Sequence, residues 1–166
     1  KQQPFLTGYD PYFYPLDSIG QWNRMYGKRG FLQYQCVISD ATAFKGIKAL
    51  LLELSASRRS SFLAVLKRLG AQGKGLLSFP MAGYTLALDL PIRDDGLFVL
   101  LNKLDEIVLR HGGRVYLAKD ARLSADSFRS MYPRYGEWLR IKNAVDPKNR
   151  FSSSLARRVG VGSNAT

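Results

Sequence analysis

Gly112-Gly113-Arg114-Val115-Tyr116-Leu117-Ala118-Lys119-Asp120-Ala121-Arg122 ends one helix and begins the last strand of the chain, and its reading decides the fold. Upstream of it, Leu97, Leu100, Leu101, Leu104 and Val108 recur at helical spacing, and His111 with the glycine pair closes that stripe. Arg114 to Ala118 reads as a short strand, and Lys119 and Asp120 stand where it runs out. Charged side chains at a strand end, above an apolar sheet, reach into a site without being buried unpaired.

Working outward, residues 31–38 alternate as a strand. Leu32, Tyr34, Cys36 and Ile38 share one face, and Phe31, Gln33, Gln35 and Val37 the other. Asp40 suits a helix N-cap, followed by Phe44, Ile47, Leu51 and Leu54 at helical spacing, with a polar run at 55–60 to end the helix. Residues 62–69 and 84–90 read as two further strands, separated by a Gly-rich loop with Pro80 and Gly83. Asp94-Asp95-Gly96 then marks a turn and cap before the Leu97 helix. The order is β-α-β-β-α-β, which predicts an α+β, ferredoxin-like antiparallel sheet with both helices on one face. Two short helices at 124–132 and 136–144 form a C-terminal tail that Asp146-Pro147 interrupts, and residues 160–166 are expected to fray. Residues 1–30 read as an extended lead-in packed on the body, with a short helix at 18–26.

The 166 residues are one domain's worth, and 46% hydrophobic content argues for a folded core. No apolar run reaches the length of a membrane span. Cys36 is the single cysteine, so an internal disulfide is excluded and no metal-ligand spacing exists. The formal net charge is +12, and from Lys119 onward ten Lys/Arg face four Asp/Glu. Such a balance favours phosphorylated or otherwise anionic partners. Gly70-Ala71-Gln72-Gly73-Lys74-Gly75 lacks the residue order of a phosphate loop, and Leu76-Leu77-Ser78-Phe79-Pro80 stands where its helix would begin. It reads as a surface loop. His111 suits a helix C-terminus, Cys36 a buried small hydrophobe, and Trp22 and Trp138 packing.

The opening motif also carries a likeness. With Met131-Tyr132-Pro133-Arg134, Glu137-Trp138, Asp146-Pro147 and Arg157-Arg158 it resembles the C-terminal part of FAD-linked oxidases of the vanillyl-alcohol-oxidase type. The decaprenylphosphoryl-ribose oxidases and related sugar-lactone oxidases are the nearest branch. Tyr14-Pro15-Leu16-Asp17, Trp22-Asn23-Arg24 and Phe31-Leu32-Gln33-Tyr34-Gln35 extend the resemblance upstream, so that it covers residues 9–161. It implies that residues 31–118 are part of a substrate (cap) domain lying over the flavin ring. Residues 119–166 would then return to a flavin-binding domain.

The family's FAD-binding region, with its Gly-rich pyrophosphate loop, has no counterpart in these residues. The chain is therefore expected to be a C-terminal piece, starting at Lys1, that binds FAD weakly or not at all. The implied substrate is a sugar or a polyprenyl-phosphate sugar. Lys119 is the implied catalytic residue, its ammonium meeting charge that develops on the flavin or orienting the oxidised hydroxyl. Tyr116 shares the cofactor- and substrate-binding role, provided the strand bends near Ala118 to bring both to one side. Gln33, Gln35, Lys67 and Thr85 are the implied substrate-binding residues. Thr85 and Ala87 stand where the family carries Asn and Cys, which alters both hydrogen bonding and pocket width. Asp120 and Arg122 are expected to pair with each other or with the tail.

A fragment of this kind exposes a sheet edge, so homo-oligomerisation through that edge is expected. A cytoplasmic location, peripheral to the membrane, follows from the same likeness. The alternative is a stand-alone basic ferredoxin-like module for nucleic acid or for oligomerisation. Arg29-Gly30-Phe31-Leu32 echoes an RNA-recognition signature, but Leu32 replaces its small residue and the exposed strand face lacks paired aromatics. Nucleic acid is not the expected partner.

Overall fold

A computed structural model describes residues 4–161. A short helix α1 (Tyr9–Phe13) and a 3₁₀ turn (Trp22–Tyr26) precede β1 (Phe31–Ser39), α2 (Ala43–Ala56), β2 (Ala64–Leu69), β3 (Gly83–Pro91), α3 (Gly96–Arg110) and β4 (Arg114–Val115). The strands form one sheet in the order β2-β3-β1-β4, every neighbouring pair antiparallel. This is the predicted split βαβ arrangement, α+β in class. A tail of α4 (Ala125–Met131), α5 (Tyr135–Val145) and α6 (Ser154–Arg158) follows. Among the described residues no helix is long and apolar enough to cross a membrane.

The core lies between the sheet and α2 and α3. Tyr34, Cys36 and Ile38 of β1 and Leu86, Leu88 and Leu90 of β3 are buried against Leu97, Leu100, Leu101, Leu104 and Val108 of α3. The strand alternation and the α3 stripe therefore hold as read. Burial pushes the Cys36 thiol up to about 12, so it stays a protonated packing group.

Several local expectations need correction. Thr42, not Asp40, precedes α2, and its hydroxyl donates to the His111 carbonyl at 2.6 Å instead of capping the helix. The buried stripe of α2 is Ala43, Gly46, Ile47, Leu50 and Leu54, whereas Phe44 is 82% exposed and Leu51 48%. Gly46 explains the rotation: a Cβ there would lie 2.6 Å from Ile38 Cδ1, so the helix turns its smallest side chains to the sheet. Finally, Val161 is buried in the core, so the frayed end does not begin at Gly160, and 162–166 lie outside the described residues.

The glycine pair does two separate things. Gly112, at φ +66, donates to the Leu109 carbonyl and Gly113 to the Val108 carbonyl, the paired bonds that close a helix in a Schellman motif. A Cβ on Gly113 would lie 2.4 Å from the Val37 carbonyl oxygen, so a glycine is also what lets β4 approach β1. The strand itself is shorter than predicted, two residues rather than five, because the chain turns into a 3₁₀ turn at Leu117–Lys119.

Candidate active site

The face of the sheet away from α2 and α3 carries nearly all of the residues singled out above. Strand register arranges them in rows about 7 Å apart. One row runs Val65, Ala87, Gln35, the next Lys67, Thr85, Val37, Arg114, and on the other side Asp89 opposes Gln33. The Tyr116 N–H donates to the Gln35 carbonyl at 2.8 Å, extending the first row.

Gln35 Nε2 donates to Thr85 Oγ1 at 3.0 Å, which fixes the amide and buries the threonine. Gln33 is half-buried and Lys67 exposed. The Tyr116 ring stacks at a tilt on Phe79, centroids 4.4 Å apart. Phe79 arrives on the loop before β3, which Arg114 holds by donating from Nη1 to the Ser78 carbonyl at 2.8 Å. Arg114 is itself buried over the Tyr132 ring, and desolvation lowers its guanidinium below the ordinary arginine value.

Lys119 closes the 3₁₀ turn, with its N–H donating to the Tyr116 carbonyl at 3.0 Å. The bend needed near Ala118 is therefore present. The Lys119 side chain is exposed and makes no ion pair among the described residues. Asp120 anchors the turn from below. Its Oδ1 accepts the backbone N–H groups of Arg122 and Leu123 at 2.9 and 2.8 Å, and its Oδ2 accepts from the Arg158 guanidinium at 2.7 Å. Asp120 thus pairs with the tail. Arg122 turns to Asp105 of α3, a buried carboxylate that also accepts the Tyr34 hydroxyl at 3.0 Å. Burial raises the Asp105 carboxyl above its ordinary value, against the pull of Arg122 and of Tyr34.

Three features escaped the sequence reading. Asp89, buried at the Gln33 end of the face, accepts the Tyr26 hydroxyl at 3.1 Å across 63 residues. Burial and that carboxylate raise the Tyr26 hydroxyl above its ordinary value. Phe79 forms a side wall, and the aromatic group Trp22, Tyr26, Phe31 and Phe62 closes the far end, Tyr26 stacking on Phe31 at 4.0 Å. Asp89 shares the face of Thr85 and Ala87 by alternation along β3, but nothing local links it to Tyr26.

The segment from α3 to α6, residues 99–159, matches the family model for D-arabinono-1,4-lactone oxidase. Over 148 residues the chain is 44% identical to the decaprenylphosphoryl-beta-D-ribose oxidase of Mycolicibacterium smegmatis. The chain is a relative of the FAD-linked sugar oxidases. That alignment covers 89% of this chain and 32% of the Mycolicibacterium protein. A Streptomyces coelicolor protein described as an uncharacterized protein in the mprA 5' region is 46% identical over 97 residues, 58% of this chain and 26% of its own length. The chain thus spans a third or less of the length of these two relatives, and the lactone-oxidase match includes the Lys119 turn and its Asp120–Arg158 anchor.

Proposed function

We propose that the open sheet face is the substrate side of an FAD-dependent oxidase acting on a secondary hydroxyl of a sugar, held as a polyprenyl-phosphate pentose or as a sugar lactone. The observation that carries this reading is the convergence of Gln33, Gln35, Thr85, Lys67 and Tyr116 on one face, with Lys119, exposed and without an ion pair among the described residues, in the turn that follows Tyr116.

The donor set suits the polar edge of a flavin ring: a free ammonium, a tyrosine and amide groups beside an apolar, aromatic wall. It does not suit the diphosphate of FAD. The Gly-rich stretch at 70–75 is exposed and irregular, and a half-buried turn, not a helix, follows it. Lys119 and Tyr116 would hold the ring, and the diphosphate belongs to another part of a longer polypeptide. Bound there, FAD supplies the acceptor for a hydride.

The protein's own groups do the positioning. Lys119 sets a fixed positive charge where negative charge develops, or orients the reacting hydroxyl. Gln33 and Gln35 each offer donors and an acceptor to sugar hydroxyls, and Thr85 holds the Gln35 amide in one orientation. Lys67, at the edge of the face, suits a phosphate or a hydroxyl. The isolated chain is expected to take up little or no FAD, and a stoichiometrically yellow protein would contradict that expectation. The outer side of β2 has no strand partner among the described residues, and the same reading assigns association to that edge.

The test is a chimera in which residues 9–161 replace the matching segment of the Mycolicibacterium oxidase. It should oxidise polyprenylphosphoryl-ribose with a dye acceptor. Lys119→Ala should lower turnover by roughly 100- to 1,000-fold without changing the melting temperature. A folded, FAD-loaded chimera without activity, or one indifferent to Lys119→Ala, would overturn the proposal.

A further inference from the structure

Beyond Gln33 the open face runs into a cavity of about 560 Å³. Its walls come from two stretches that are remote in sequence: Leu16, Ile19, Trp22 and Met25 of the lead-in, and Phe62 and Leu63 before β2. These six large apolar side chains are between 37% and 57% exposed, and all of them open into the same concavity. Scattered apolar exposure needs no explanation, but a contiguous apolar hollow of this size falls within the range of small-molecule sites, about 300–1,000 Å³.

We propose that this cavity binds the isoprenoid segment next to the phosphate of a polyprenyl-phosphate substrate. The proposal rests on the sugar-oxidase reading for its choice of ligand and on the cavity for its place. Charge decides which part of such a ligand enters. The polar lining is Gln33, Asp17 and Asp89, with Asp89 already engaged by the Tyr26 hydroxyl. Two carboxylates repel a phosphate and leave the hydrocarbon as the part that fits.

The face supplies its positive charge elsewhere. Lys67 opposes Thr85, four residues along β3 from Asp89, which is about 13 Å of strand. Between them lies the row of Gln35 and Ala87. Ala87 has the smallest side chain of that row, so it is the least obstacle to a ligand lying across it. A ligand laid along the strands then has its carbon chain among Trp22, Met25 and Leu63. Its headgroup lies over Gln35, toward Lys67. Spacing, charge and apolarity all set the same direction.

Trp22 is a built-in reporter, since the other tryptophan, Trp138, lies on α5 against Tyr135 and does not line the cavity. The 166-residue chain is titrated with farnesyl phosphate, farnesol and ribose 5-phosphate while tryptophan emission is followed. Both prenyl compounds should give a saturable blue shift that disappears in Trp22→Phe, and ribose 5-phosphate should give none. Ile19→Asp and Leu63→Asp, one from each wall, should each weaken prenyl binding by about tenfold or more. Both side chains are partly exposed, so the two variants should keep the parent's circular dichroism and melting temperature.

No saturable shift with farnesyl phosphate would overturn the assignment. So would an equal response to octyl glucoside, which marks an unselective apolar patch, or affinity unchanged in both folded wall variants. A Trp22 shift produced by ribose 5-phosphate would overturn it as well, by placing the headgroup in the cavity. None of the prenyl probes carries a sugar hydroxyl, so failure of the oxidase chimera leaves this result intact, and failure here leaves the chimera's activity intact.

Discussion

The two faces of the sheet are built from the same strands, one residue out of step, and they differ in almost everything else. On the helix side Tyr34, Cys36, Ile38, Leu86, Leu88 and Leu90 close onto α2 and α3, and a buried charge there, Asp105, is answered by Arg122 and the Tyr34 hydroxyl. On the other side Gln33, Gln35 and Ala87 stay half-buried and Lys67 is exposed, and Gln33 also lines a cavity of about 560 Å³. Period-two alternation lets a short segment serve stability with one set of side chains and leave the other set free for chemistry. A face that carries function can be altered cheaply in stability terms; a face that carries the core cannot.

That division can be broken by substitution. Asp105→Ala leaves the Arg122 guanidinium buried without its carboxylate, and it should cost about 3–5 kcal/mol in denaturant unfolding. A loss below about 1 kcal/mol would mean that the helix side does not depend on its ion pair. Gly113→Ala pushes a methyl group into the Val37 carbonyl, a backbone group that cannot swing aside, and should cost about 1–3 kcal/mol while loosening β4. Amide exchange at Val115 and Tyr116 would report that loosening directly.

The tail gives a reference that belongs to neither face. Burial works to raise the Asp146 carboxyl, but the Arg150 and Phe151 N–H groups, at 2.8 and 3.1 Å, and the Lys142 ammonium at 3.0 Å hold it below the ordinary carboxylate value. A lowered folded value means a contribution that is present above the unfolded carboxylate pKa of about 3.9. It is lost as pH falls through the lowered folded value. Urea midpoints measured from neutral pH downward should decline there, and Asp146→Asn should flatten part of that decline. The smallest effect belongs to the open face. Gln33→Ala should change stability by no more than about 0.5 kcal/mol, and the double variant with Gln35→Ala should still unfold cooperatively. A drop of several kcal/mol would show that this face is structural after all.

How much of this was legible depended on how local the cause is. Strand alternation, the α3 stripe and the helix-closing glycine pair are written in neighbouring residues, and the sheet order followed from them. Helix α2 was misread in rotation because it has two apolar stripes. The one with bulky Phe44 and Leu51 outscores the one with Ala43 and Gly46, although Gly46 decides the approach to Ile38. The shortened β4 could not be foreseen locally, since the turn after it is held by Arg158, 38 residues downstream of Asp120. The polar residues of the open face follow from alternation once a resemblance says which face matters. Their cavity does not, because residues 16–25 and 62–63 meet only in the folded chain.

The Asp120–Arg158 bond also makes the tail a strap. It closes a loop of 38 residues, beginning next to Lys119 and passing through three short helices before it returns. In one piece, the strap pays only the modest entropy of loop closure to keep Arg158 within reach. Cleaved between Asp146 and Ser153, the same contact becomes an encounter between two molecules and depends on their concentration. A protease nick far from the sheet would then slacken the segment that carries Lys119, and dilution alone would deepen the effect.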